Sequence, residues 1–399
     1  MAITSSFSNL ATVTRASKKT DAGGWDFTSG GTVGTLTEYA SGVAAIHPTA
    51  GLLVEESSTN EIRNPRFEGA TVGVIGSGGV LPSYMAVTGG GVAVEVISIG
   101  SAYMDLRLSG TATGNQIITF EAISVVAANA SETWTASLGV QILAGSLTNI
   151  SAAALSMRQV GAANTFPQTG IKSLLDASMR RFFHTQTTEA GTTNVTMSLV
   201  NYASGAIDVT YRLFAPQLEE KAYPTSPILP TVGSPAASTR AADSVAVANG
   251  SWSNDDGAGT IFAEFAFTYD GQASNFPRVL GYGADSSNRV DVYRNQATES
   301  LFALLSDGGA TQASITTGTA PAATTKKVAV AWAADDVAFS VSGGTQQTDS
   351  SATIGFGAAV LRLGAGAGNT NASAGVYIKD LRYFPRRLSN AELEALVGN

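Results

Sequence analysis

The stretch APQLEEKAYPTSPILPT, residues 215–231, follows a strand whose two sides are already sorted. Ahead of it Ile207, Val209, Tyr211 and Leu213 alternate with Asp208, Thr210 and Arg212, the period of two that a half-buried strand shows. Within it, Pro224, Pro227 and Pro230 each lack a backbone N–H and hold φ at about −65°, so a hydrogen-bonded ladder is expected to stop there. Small polar residues follow, and then a second set of alternating strands begins. The stretch is therefore expected to close one β-domain and to act as a semi-rigid joint to the next.

On its N-terminal side, Val92, Val94 and Val96 alternate with Ala93 and Glu95, and Trp134, Ala136, Leu138, Val140 and Ile142 with Thr135, Ser137 and Gln141. Val195, Met197 and Leu199 repeat the pattern. Such runs, separated by turn clusters such as Gly89-Gly90-Gly91, predict an antiparallel sandwich of the jelly-roll kind over residues 61–228. Residues 1–60 carry only short apolar pieces, of which Leu52-Leu53-Val54 is the clearest. They read as an extended N-terminal arm. Residues 229–247, rich in Pro, Ser and Ala, read as a linker.

A second sandwich is expected over 248–399. Ile261, Ala263, Phe265, Phe267 and Tyr269 line one face of a strand. Val328, Val330 and Trp332 lead into Ala334-Asp335-Asp336, and Val337, Phe339 and Val341 lead out, which predicts a hairpin with an acidic turn. The chain closes with a short helix that Ser389 can cap, Glu392 completing a capping box three residues on. The expected fold is thus all-β: two tandem antiparallel β-sandwiches, an extended N-terminal arm and a short C-terminal helix.

Composition agrees with that class and narrows function. The 399 residues include 43 Gly and only 14% charged residues, and 44% are hydrophobic, too many for a disordered chain. Net charge is −8, and basic runs do not exceed pairs such as Lys18-Lys19 and Arg386-Arg387, so the concentrated positive face of a nucleic-acid binder is not expected. There is no cysteine, which removes disulfides, thiolate zinc sites and cysteine nucleophiles together. No secretory signal and no apolar run of about 20 residues is visible, so the chain reads as soluble, with no membrane insertion.

Motifs of chemistry are sparse. Gly364-Ala-Gly366-Ala-Gly368 imitates a dinucleotide fingerprint but runs into Asn369-Thr370-Asn371 and a strand instead of a helix, so it reads as a loop. His47 and His184 are the only histidines, and no nucleophile elbow accompanies them. Acidic neighbours at Glu55-Glu56, Glu219-Glu220, Asp255-Asp256 and Asp335-Asp336 point to opposite faces of a strand and cannot flank one glycosidic bond. Asp255 and Asp256, in the loop opening the last domain, are the candidates for supplying oxygens to a calcium ion. No other cofactor is expected. The sequons at Asn129, Asn149, Asn194 and Asn371 are what a Ser/Thr-rich chain yields by chance. Aromatic rings near loops, on which a sugar can stack, are the remaining handle: Trp252, Tyr282, Tyr293 and Tyr84.

Several segments carry a family resemblance. NPRFEGA (64–70), LAGSLTNI (143–150), APQLEEKAYPTSP (215–227) and TRAADSV (239–245) resemble sequences recurring in tail-fibre, spike and other virion-appendage proteins of tailed bacteriophages and prophages. GLLVEESSTN (51–60) resembles the lead-in to their first sandwich. The resemblance, over roughly residues 51–399, implies a carbohydrate-binding-module-like jelly roll followed by a concanavalin A-like, laminin-G-like sandwich. Where relatives carry a Trp after the LP turn, this chain has Ser83-Tyr84-Met85.

What the resemblance implies is a virion protein, made in the bacterial host cytoplasm. It would self-associate as a homotrimer, contact other virion proteins through the arm, and bind host surface polysaccharide without catalysis. A capsid or tail decoration protein with no ligand is the alternative, and a polysaccharide depolymerase the third. The Glu-x-Asp-x-Glu spacing of retaining concanavalin-like glucanases is absent, and fold analogy alone does not make an enzyme.

Overall fold

The computed structural model describes residues 11–22, 31–32, 36–47, 50–161, 164–250, 252–253, 257–269, 276–295, 297–370 and 375–398. The chain is all-β, with 54% of residues in strands and 3% in helix. It divides into two compact units. A middle unit comprises Ala22–Thr37 and Ser58–Arg240; a terminal unit comprises Met1–Asp21, Glu38–Ser57 and Ala241–Asn399.

The middle unit is a sandwich of two antiparallel sheets. One runs in the order Gly31–Thr32, Arg180–Thr187, Thr133–Ser146, Gly205–Glu219, Tyr103–Ala112, Val92–Ile99, Gly73–Val74. The other runs Gln168–Gly170, Ile150–Gly161, Thr192–Ala203, Gln116–Thr119, Ala86–Thr88, with Val126–Ala127 beside Thr192–Ala203. The alternation read from the sequence sets what lies between them. Ile207, Val209, Tyr211 and Leu213 meet Leu106, Leu138, Leu155 and Met197 in one buried cluster, each such side chain stabilising the fold by about 1.5–3 kcal/mol relative to exposure. The Tyr211 hydroxyl is buried with them and donates to Asn201 Oδ1 at 2.9 Å, which satisfies it.

The proline stretch departs from the expected joint. The strand does not end before Ala215 but continues to Glu219. A bulge lets it pass Pro216: Ser137 pairs with Gln217 while Gly139 pairs with Phe214, and Ala215 takes a φ of +42°. Such a bulge absorbs a residue that cannot donate to the ladder. Residues 223–228 are then buried and run over the side of the sheet facing away from the sandwich core. Thr135 Oγ1 donates to Lys221 O, Arg181 Nη1 to Thr225 O, Asn60 Nδ2 to Ile228 O and Arg66 Nε to Pro230 O. The three prolines stop a ladder, as expected, but they make a strap on the middle unit instead of a spacer. The expected linker 229–247 is likewise structured. Ser238–Arg240 pairs with Ser58–Asn60 in the middle unit, and Ser244–Val247 is a strand of the terminal unit.

The terminal unit is also a sandwich. One sheet runs Thr12–Thr14, Ser244–Val247, Val360–Leu363, Arg278–Gly283, Arg289–Arg294, Ser300–Asp307, Ala310–Thr319. The other runs Gln347–Asp349, Asp336–Val341, Lys326–Ala333, Gly259–Phe267, Val376–Phe384, Gly51–Val54, Ile46–His47. The acidic hairpin forms as expected: Ala333 pairs with Asp336, and Asp335 takes the left-handed φ of +53° in the turn. The closing helix, Asn390–Val397, has the expected capping box on Ser389 and Glu392 and ends on Gly398 at φ +78°. Its Leu393 and Val397 cover Phe262, Ala329, Ala331 and Ala338, the side of the sheet opposite the core residues Ile261, Ala263 and Phe265.

The N-terminal arm is corrected by this arrangement. Thr12–Thr14 pairs with Ser244–Val247, and Leu52, Leu53 and Val54 pair with Ile378, Tyr377 and Val376. Pieces of the first 60 residues are therefore strands of a sandwich completed by the far end of the chain. A buried charge cluster fastens them. Arg15 Nη1 meets Asp243 Oδ1 at 2.8 Å, Lys19 Nζ meets Asp243 Oδ2 at 2.5 Å and Glu55 Oε2 at 3.2 Å, and all four side chains are at most 1% exposed.

Candidate functional site

The aromatic residues singled out from the sequence do not form one platform. Tyr282 is fully buried in the terminal unit, ringed by Trp252, Trp332, Phe356 and Tyr383 at centroid distances of 5.5–6.3 Å. It faces inward on the strand Arg278–Gly283 and presents no ring face to a ligand. Trp252 packs edge-on against Tyr383 at 5.0 Å and donates from Nε1 to Ala248 O, so it serves the same cluster. Tyr293 is half-buried, stacked at 5° on Phe302 and met edge-on by Phe276. Tyr84, in the middle unit, is 41% exposed, but the Arg63 guanidinium lies 3.6 Å from its ring centroid. One face is thereby taken by a cation–π contact.

Asp255, Asp256 and Asn371 lie outside the described residues. Among the described residues no group of three or more His, Asp or Glu side chains is placed to hold a metal ion. His47 belongs to the terminal unit and His184 to the middle unit. His47 Nδ1 accepts from Ala50 N, and His184 Nδ1 lies 2.9 Å from Thr169 Oγ1. The Gly364–Gly368 loop follows the strand Val360–Leu363 and no helix begins there. Its Ala367 N donates to Asp291 Oδ1, so the carboxyl group that fixes this loop is one of the protein's own.

A site missed in the sequence lies at one end of the middle unit. Four connections come together there, around residues 113–115, 147–149, 171–174 and 203–205, and enclose an open pocket of about 530 Å³. Tyr202 is the aromatic member. Ala203 and Leu199 face the core, so alternation turns Tyr202 to the other side of the strand Thr192–Ala203. Its hydroxyl donates to Gln168 Oε1 at 2.9 Å, which fixes the ring, and its carbonyl accepts from Ser151 Oγ at 3.0 Å.

The facing turn is set by Asn149. Its φ is +63°, a conformation Asn tolerates better than most residues, and its Nδ2 donates to Ala206 O while its carbonyl accepts from Ser204 N. Lys172 starts the short 3-10 turn Lys172–Leu174 and supplies the only charge among the described lining residues. Asn115 and Ser204 complete the polar rim. The pocket thus offers amide and hydroxyl groups able to donate and accept, an amphipathic ring and an ammonium group. None of its described lining residues carries a carboxylate, so it holds no acid–base pair of the kind glycoside hydrolysis uses. The sequence signal was present: extending the Val195/Met197/Leu199 alternation by three residues turns Tyr202 outward, just before the turn at Ser204-Gly205.

No family model matches the chain, and no curated protein matches it. Among solved structures it is similar to the tandem CBM22 domains of Xyn10C from Paenibacillus barcinonensis, at 14% identity over 83% of this chain and 98% of that one, with a TM-score of 0.24. It is similar to the sialidase of Trypanosoma rangeli at 12% identity, covering 77% of this chain and 62% of that one, with a TM-score of 0.28. A truncated AlyQ with CBM32 and alginate lyase domains gives 10% identity, coverage of 71% and 92%, and a TM-score of 0.25. At such values the likenesses assign neither a ligand nor an activity.

Proposed function

We propose that the chain is a structural subunit of a tailed-bacteriophage virion appendage, and that its middle sandwich holds host surface glycan at the Tyr202 pocket without cleaving it. The observation that carries the binding half is the pocket itself. An ordered ring, four polar side chains and one ammonium group surround an open volume that admits a few sugar units. Sugar hydroxyls are matched by the Asn and Ser groups, and the apolar face of a pyranose by the ring. The virion half rests on the resemblance of residues 51–60, 64–70, 143–150, 215–227 and 239–245. In this reading the subunit is displayed on the particle as a homotrimer beside other virion proteins, and weak single sites gain from repetition.

The test is binding of the intact oligomer to a bacterial-glycan array and to host cells, beside Tyr202→Ala. Binding that the substitution abolishes while the melting curve is unchanged is the expected result. No binding by the wild-type oligomer rejects the adhesive role.

A ligand-free decoration protein is the second reading, and one observation favours it. The segments 51–60, 215–231 and 239–245 are spent on strand pairing and buried hydrogen bonds within the two sandwiches, so the resemblance they carry speaks for architecture and not for a ligand. Particles assembled with Tyr202→Ala separate the two: the adhesin gives intact particles that adsorb poorly, the decoration protein gives particles that adsorb normally. New reducing ends on incubation with host polysaccharide would instead indicate a depolymerase.

A further inference from the structure

The charge cluster of the terminal unit has a composition that goes beyond an ion pair. Lys19 Nζ lies 2.5 Å from Asp243 Oδ2, with the side chains 0% and 1% exposed. Glu55 Oε2 lies 3.2 Å from the same nitrogen. Arg15 Nη1 donates to the other Asp243 oxygen at 2.8 Å, and the Glu55 amide donates to Oδ2 at 2.8 Å. An amine, a carboxyl group, a second carboxyl group touching the amine and a fixed cation on the far oxygen are the parts an amide condensation requires. Each is held by an independent element. Lys19 begins the strand Lys19–Ala22, Glu55 follows Gly51–Val54 and Asp243 precedes Ser244–Val247.

We propose that Lys19 and Asp243 condense into an intramolecular isopeptide bond. In the reactive form the proton has passed from the Lys19 ammonium to the Asp243 carboxyl group. Lys19 Nζ then attacks Cγ of Asp243, and the developing oxyanion on Oδ1 is met by the Arg15 guanidinium, a preorganised positive group where negative charge appears. Glu55 takes the proton released from Nζ and returns it to the departing Oδ2 hydroxyl. The C–O bond breaks, the C–N bond forms and one water leaves; no oxidant, reductant or cofactor takes part. Three features favour the amide. The reacting groups are held in contact, which removes the entropic part of the barrier. Water is excluded, which disfavours hydrolysis. The product replaces two buried charges by a neutral amide, relieving their desolvation, while Arg15 and Glu55 still balance each other.

The bond joins residues 224 positions apart and gives a cysteine-free chain the covalent staple it otherwise lacks, constraining the unfolded state as a disulfide does.

The test is the intact mass of the denatured full-length protein. The expected mass is one water below that of the sequence, with a proteolytic digest yielding a branched peptide that joins the Lys19 side chain to Asp243. On a denaturing gel the chain is expected to run ahead of Lys19→Met and Asp243→Ala, both of full mass. Glu55→Gln is expected to accumulate as uncrosslinked chain; crosslinking as complete as in the wild type would remove Glu55 from the mechanism. A cooperatively melting wild-type protein of full sequence mass overturns the proposal, and so does a water loss that maps to any other pair. The wild-type measurement does not depend on any variant folding.

Discussion

Glu219 is fully buried in the middle unit, and its carboxyl group accepts from Ser58 Oγ at 2.5 Å, Thr225 Oγ1 at 2.6 Å and Thr225 N at 3.0 Å. It is one of the residues that tie the proline strap to the sheet beneath it, beside Thr135, Arg181 and Gln217. Glu219→Ala leaves the Thr225 amide and two hydroxyls without their acceptor, and the expected cost is about 3 kcal/mol, read as a lowered urea midpoint with an unchanged slope. His184 sets a pH dependence. Its ring is buried, its Nε2 has no hydrogen-bond partner among the described residues, and burial lowers its pKa below the ordinary 6.5. Above 6.5 both folded and unfolded states are neutral and this contribution is intact. As pH falls below 6.5 the unfolded chain takes up a proton that the folded one refuses, so stability drops until the folded pKa is reached. Denaturation midpoints measured from pH 7.5 to 5 should fall, and His184→Phe should flatten that slope.

At the scale of elements, the closing helix shows what local chemistry contributes. Ser389 caps it and Arg386 pairs with Glu392 at 2.6 Å. That pairing, with the hydrogen bonds from Ser389, holds the Glu392 pKa at about 2. Ser389→Ala is expected to cost about 1 kcal/mol, seen as earlier loss of far-UV ellipticity on heating. A carboxylate depressed in the folded state contributes above its unfolded pKa and loses that contribution as pH falls toward 2, so the penalty of the substitution should shrink in acid. This helix and the 328–341 hairpin were legible because their signals are local: a cap, a turn, a period of two. The strand Gly205–Glu219 was legible up to Leu213, where Ala215 and Pro216 break the period and the bulge carries the strand on. Thr12–Thr14 and Gly51–Val54 were not legible as sheet members, since strands of three or four residues show no period and their partners lie hundreds of residues away. The place of Tyr282 was not legible for a related reason. Tyrosine is equally at home in a core and at a rim, and only the neighbours Trp332, Phe356 and Tyr383, brought in by other strands, decide between them. Tyr202 went unnoticed because its pocket is made by four connections distant in sequence.

At the scale of the molecule, the chain enters and leaves each unit more than once, so neither is a contiguous segment. Deleting residues 1–57 removes Thr12–Thr14, one of the two partners of Ser244–Val247, and Gly51–Val54, one of the two partners of Val376–Phe384, together with Arg15, Lys19 and Glu55. A freestanding arm could be cut away at no cost to the second sandwich. The arrangement observed predicts that the deletion abolishes the near-ultraviolet signal of buried Trp332 and exposes residues after 241 to protease, while Leu213 and its surroundings stay protected in hydrogen exchange.

The pairing of Val54 with Val376 also sets a timetable. A ribosome adds roughly 5–20 residues per second, so the about 320 residues between the two strands take on the order of 15–60 s to appear. Through most of that interval Leu52, Leu53 and Val54 are out of the tunnel with only the short neighbour Ile46–His47 to pair with and their other edge open, while all of the middle sandwich is made and free to fold. The order of synthesis therefore requires a wait with an apolar edge exposed, and the yield of folded protein should depend on what shields that edge until its partner arrives.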